Sequence, residues 1–233
     1  MKKIFAISLL IVSFISAQPK DPMKIINSVI DKFEKIRDYE VDVTIKLDFS
    51  MVKIPDMKAK YYFKQPDKVK IDSKGFAMIP KQSLNFSPAQ FLKGDFTAIY
   101  VKTETEDSHT YDIIKIIPNS DSVDVILSTL WIDQNLKVIK KVETTGKRSG
   151  TLHIDLDYKD KLVLPSSAVF SFNTGNIPGR EGQILNDEKK GYRENIRRDA
   201  SISGKVLMTY SNYQINKGIP DSFFEEKKEM PQK

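Results

Sequence analysis

The chain has no cysteine, two histidines, one tryptophan and no long apolar run beyond its first residues. Zero cysteines exclude disulfides, thiol nucleophiles and thiolate metal sites. They also exclude acylation of the chain itself as a lipoprotein, since there is no thiol to modify. Two histidines leave little for imidazole chemistry. His109 sits near a turn in "TEDSHTYD", and His153 shares one face of a strand with Asp155 and Asp157. A His-x-Asp-x-Asp alternation has the spacing to hold a cation or orient a base, and it is equally the pattern of a strand's wet face. No phosphate-binding glycine loop, nucleophile elbow or zinc motif occurs. An excess of one charge is also missing. The net charge of +6 is spread among interspersed signs, whereas a nucleic-acid binder concentrates its basic residues on one face. No nucleic acid, metal or cofactor is expected.

The amino-terminal "MKKIFAISLLIVSFISAQ" has two lysines, an apolar stretch from Ile4 to Ile15 and small residues after it. This is the pattern of a secretory signal, and the stretch is short for a bilayer span. Cleavage is expected after Ala17, giving a signal at 1–17 and a single domain at 18–233. Removal takes Lys2 and Lys3 and lowers the charge from +6 to +4. An exported, lysine-rich chain without cysteine reads as a bacterial envelope protein, placed in the periplasm. With 40% hydrophobic residues it can build the packed core that must do the work of absent disulfides.

"DPMKIINSVIDKFEKIRDYE" predicts a helix. Asp21 caps it, Pro22 occupies the first turn, and Ile26, Val29, Ile30, Phe33 and Ile36 form one apolar stripe. The period then changes. In "YEVDVTIKLDF", Val41, Val43, Ile45, Leu47 and Phe49 alternate with polar residues, as in a half-buried antiparallel strand. "TLHIDLDY", "AVFSF" and "KVLMTYSNY" repeat the signal. "TAIYVKT", "TYDIIKIIP", "DVILSTLWID" and "KVIKKVET" also fit strands. "YYFKQPDKVKID" reads as two strand halves broken at Pro66, with lysines in the gaps. About nine to eleven antiparallel strands follow one helix, a mainly β (α+β) chain.

Two regions break the rhythm. "KGFAMIPKQSLNFSPAQFLKGDF" is apolar without alternation, and "SPAQFLKG" within it reads as a short helix. The segment from Asn173 to Ser203 is polar, charged and glycine-containing, and reads as a long mobile loop between two strands of a hairpin. Its basic cluster at Lys189, Lys190, Arg193, Arg197 and Arg198 has two readings, a solvated loop or a transient contact with a membrane surface.

The helical segments look too small to cover one apolar face of so many strands. If the sheet curls without closing, that face becomes the floor of an elongated cavity, roofed by Met78, Ile79, Phe86, Phe91, Leu92 and Phe96. A filled core is the competing reading. The expected ligand-binding residues are Phe63, Ile71, Met78, Phe86, Phe91, Leu92, Trp131 and Ile154, and core packing is the competing role for Trp131.

The order of motifs resembles the LolA/LolB-like family of outer-membrane lipoprotein-sorting proteins. The shared features are the exported chain, the amphipathic helix, "YYFKQPDKVKID", then "LWIDQNLKVIKKVE", "YKDKLVLPSSAVFSF" and the closing "YSNYQINKGIPDSFFE". The resemblance spans Pro22 to Phe224 apart from the loop. It implies an unclosed antiparallel half-barrel of about ten strands, with an N-terminal helix and a short helical lid over an apolar concave face. It also implies binding of the acyl chain of a lipoprotein or a free lipid, with inner- and outer-membrane envelope proteins as partners and no catalysis. In the carriers an arginine precedes the proline and helps hold the lid. Here Gln65 precedes Pro66, so a more general lipid-binding or envelope-maintenance role fits as well. A sensor or interaction domain on the same fold, binding a protein partner without carrying cargo, is the alternative reading.

Overall fold

The computed structural model describes residues 20–49, 52–53, 55–73, 92, 94–147, 149–159, 162–173 and 203–225. Helix α1 (Pro22–Glu34) begins as its cap requires: the Asp21 carboxylate accepts from the amides of Met23 (2.9 Å) and Lys24 (3.4 Å). These are orphan donors of the first turn, and Pro22 brings none of its own. The predicted stripe is the buried face, with Ile26, Val29 and Phe33 inside and Ile36 buried just beyond the helix.

Among the described residues eleven strands follow: β1 (Asp38–Phe49), β2 (Val52–Lys53), β3 (Met57–Lys64), β4 (Lys68–Asp72), β5 (Phe96–Glu106), β6 (His109–Pro118), β7 (Val125–Asp133), β8 (Ile139–Gly146), β9 (Gly150–Asp157), β10 (Ser167–Asn173) and β11 (Ser203–Ile215). They form one antiparallel sheet in the order β4-β3-β1-β11-β10-β9-β8-β7-β6-β5, with the two-residue β2 paired only to β1. The path ends at β4 and β5 and does not close, so the architecture is the expected unclosed half-barrel with an N-terminal helix. Each predicted strand is present; only β2 was not anticipated.

The expected face assignment holds. Val43, Ile45, Ile154 and Leu156 are buried, and Leu47 and Leu152 pack against the same core. Lys46, His153, Asp155 and Asp157 are exposed. A shift of one residue would exchange these sets and bury charge, which sets the register.

"YYFKQPDKVKID" is a hairpin. Its halves fold back on one another, with Tyr61 opposite Ile71 and Phe63 opposite Val69. The lysines between them receive the carboxy-terminal turn Asp221–Phe224. Asp221 pairs with Lys64 (2.5 Å) and Lys68 (3.0 Å), while Phe223 meets Tyr62 edge-on and lies 4.3 Å from the Lys70 ammonium. Gly218, at φ +79°, lets the chain turn so that its amide reaches buried Asp38. Strands β10 and β11 pair from Ser167–Thr209 to Asn173–Ser203, as a hairpin flanking the long connection should. That connection, at 174–202, and most of the predicted short helix lie outside the described residues.

Candidate functional site

One arm of the concave face carries an apolar groove. Strand β1 contributes Tyr39, Val41, Val43 and Ile45, and β3 contributes Ala59 and Tyr61. Ile71 of β4, Met208, Tyr210 and Tyr213 of β11, and Leu164 and Pro165 ahead of β10 complete the lining. Alternation places the first six on one face. Tyr210 and Tyr213 differ by an odd number of positions, yet both pack against that face. The reason is a bulge. Asn212 and Tyr213 stand opposite the single residue Val41, Asn212 has φ +57°, and the extra residue returns Tyr213 to the concave side.

The groove contains about 460 Å³ of empty space counted out to its mouth, but the centre of a water molecule can move through only about 20 Å³ of it. It is therefore narrow, and a chain entering it must part the walls. None of the described lining residues carries a charge. Polarity comes from phenols. The Tyr213 hydroxyl donates to the Pro165 carbonyl at 2.7 Å, and Tyr39 and Tyr61 are hydrogen-bonded to each other with ring centroids 5.8 Å apart. Burial pushes all four groove tyrosines well above the usual phenol range, with neighbouring phenols adding to the effect at Tyr39, Tyr210 and Tyr213. The groove thus presents neutral O–H groups and aliphatic surface at any physiological pH.

The sequence-predicted residues are not all brought together. Ile71 lines the groove. Phe63 is buried beside it, packed between Phe33 of α1 and Tyr39 (centroids 5.7 and 5.2 Å). Ile154 and Leu92 are buried in the same core. Met78, Phe86 and Phe91 lie outside the described residues. Trp131 faces the other side of the sheet, paired with Lys141, whose ammonium stands 5.4 Å from its ring. The tyrosines were missed because their aromatic rings read as ordinary strand formers. Tyr39 and Tyr61 share the parity of Val41 and Phe63, a usable signal; Tyr213 has none, because a bulge placed it.

Helix α1 reaches both arms of the sheet. At its amino end Lys20 pairs with Asp112 of β6 at 2.7 Å; Lys32 donates to the Leu136 carbonyl; at the other end Phe33 meets Phe63 of β3. Gln65, in the place of the carriers' arginine, also holds this region. Its backbone amide donates to the Arg37 carbonyl (2.8 Å) and its side chain to the Ile36 carbonyl (3.2 Å). Burial alone would raise the Asp112 carboxyl, but Lys20, Thr103 and Gln134 outweigh it and hold the group below the usual range. Asp133 is likewise held low against its own burial, by the amides of Leu136 and Asn135 and by His109. His153 is exposed and 3.4 Å from Glu143. Among the described residues no three His, Asp or Glu side chains are placed to share a metal ion, and no helix is long and apolar enough to cross a membrane.

No family model matches the chain, and no curated protein sequence matches it. Solved structures do. A DUF1329 family protein from Desulfovibrio piger superimposes with a TM-score of 0.57 at 11% identity, over 88% of this chain and 98% of that one. A LolA superfamily protein from Nitrosomonas europaea superimposes with a TM-score of 0.50 at 13% identity, over 88% and 97%. At such identities the likeness is one of fold, and the fold of this chain is LolA-like.

Proposed function

We propose that this chain is a periplasmic binding protein or carrier for the acyl chain of a lipid or lipoprotein, serving lipoprotein sorting or envelope maintenance. The observation that carries the reading is the groove: aliphatic walls, neutral phenols and no charge among its described lining residues, on the concave face of an unclosed sheet. An acyl chain in such a groove gains roughly 0.8 kcal/mol per methylene removed from water. Ile71 and Met208 are suited to yield to it, one half-exposed at the sheet edge and the other unbranched. The likeness to a LolA superfamily structure supports the same reading at the level of fold.

The test is binding of a fluorescent fatty-acid probe to delipidated protein, compared with Ile71→Asp, which places a charge on the groove wall at a half-exposed position. Saturable binding by the wild type, weakened about tenfold or more in the variant, supports the assignment. Equal binding by both moves the site elsewhere, with Leu92→Asp as the next variant to try. Absence of any apolar-probe binding by the wild type removes the carrier reading and leaves the protein-partner alternative.

A further inference from the structure

We propose that the outer face of the sheet carries a second site, a cleft over β5–β9 that takes a neutral saccharide. It is independent of the groove and on the opposite side of the strands. Counted out to its mouth the cleft holds about 390 Å³ of empty space, and the centre of a water molecule can move through about 120 Å³ of it.

Its construction begins with Trp131. The residue alternates with buried Leu130 and Ile132 and so stands on the face that strands of this kind give to water. It is half-buried, flanked in register by Ile113 and Lys141, and Lys141 in turn faces Asp155. Tyr111 stands beside it, its ring stacked on His109 and its hydroxyl without a side-chain partner among the described residues. A broad aromatic surface is thus offered to solvent in a concavity.

The polar groups around it are only partly spent on each other. Lys140 pairs with Asp157 at 3.1 Å. Lys141, Asp155 and Glu106 line the same cleft, and among the described residues none of these three makes an ion pair within the cleft. Donors and acceptors therefore stand ready around the ring. Three carboxylates against two ammonium groups leave little net field to collect an ion. An acyl chain would desolvate those charges without compensation. A sugar ring satisfies both halves of the site: its C–H face covers the indole, and its hydroxyls take the hydrogen bonds. The Lys141 ammonium now over the indole must slide aside, which a flexible four-carbon stem allows, and it then becomes a donor.

Trp131 is the only tryptophan, so emission excited selectively at wavelengths that tyrosine does not absorb reports on this cleft and not on the groove tyrosines. The full chain is titrated with maltotriose and, separately, with chitotriose. A saturable change in emission with either sugar, weakened about tenfold in Asp155→Ala and in Lys141→Ala, is the expected result. Both positions are on the wet face, and unchanged unfolding transitions confirm the fold. The response must persist in Ile71→Asp, which separates this site from the groove. No saturable change with either sugar overturns the proposal. So does a response unaltered by both cleft variants, or one that is abolished by salt, which would mark an ionic contact.

Discussion

On strands β6–β9 the concave face is lined by Ile114, Leu130, Ile132, Ile139 and Val142, all fully buried, and α1 is pinned there through Lys20 and Lys32. On β1, β3, β4 and β11 the same face carries four tyrosines and an open groove. Both arms obey the same alternation, so periodicity does not distinguish them. Side-chain chemistry does. Aliphatic groups have no partner to find and close on one another at crystal-like density. Each buried phenol must keep its hydroxyl bonded, to the Pro165 carbonyl, to another phenol or to the Met208 sulfur, and that requirement fixes the rings instead of letting them collapse. The closed arm holds the fold, and the tyrosine arm keeps a narrow groove.

The contrast can be broken most strongly in the closed arm. Leu130→Ala should destabilise the protein by about 2–5 kcal/mol in denaturant unfolding, because no neighbour can fill the void. Next comes the latch that holds α1. Asp112→Ala should cost about 1–3 kcal/mol, since three bonds onto one buried carboxylate are lost and partly buried Gln134 loses its acceptor, while exposed Thr103 and Lys20 are rehydrated. This effect carries a pH signature. Asp112 and Asp133 both have folded-state pKa values below their ordinary ones. Their contribution is fully present above the unfolded value, about 3.9, and is lost as pH falls through the folded values. Melting temperatures should therefore drop below about pH 4, less steeply in Asp112→Asn than in the wild type.

On the open arm Ile71→Ala should cost about 1 kcal/mol or less, because Ile71 itself is only partly buried on the edge strand β4. A loss as large as that of Leu130→Ala would show that the groove is closed in solution. His153→Ala should be the smallest change, within about 0.5 kcal/mol, as befits an exposed strand position. Appearance of a hydrolytic or metal-dependent activity in the wild type that this variant lacks would revive catalysis by the His153, Asp155 and Asp157 face.

The helix, its cap, the ten path strands and their faces were legible because each rests on local rules: a capping carboxylate, a 3.6-residue stripe, a two-residue alternation. Ile71 was legible as a groove residue for the same reason. Trp131 was not, because the alternation of "STLWID" puts Leu130 and Ile132 inside and the tryptophan outside, and its apolar character had argued the other way. The lysines of "YYFKQPDKVKID" had no reading until the distant turn Asp221–Phe224 was seen to rest on them.

Sequence alone determined the element types and which residues of each strand are wet, since these follow from periodicity and from the cost of burying charge. Tertiary structure decided where the space lies. The path is left open between β4 and β5, a one-residue bulge at Asn212 turns Tyr213 inward, and Gln65 ties the β3–β4 turn to the end of α1. Each depends on pairing between residues far apart in the chain, which no local pattern encodes.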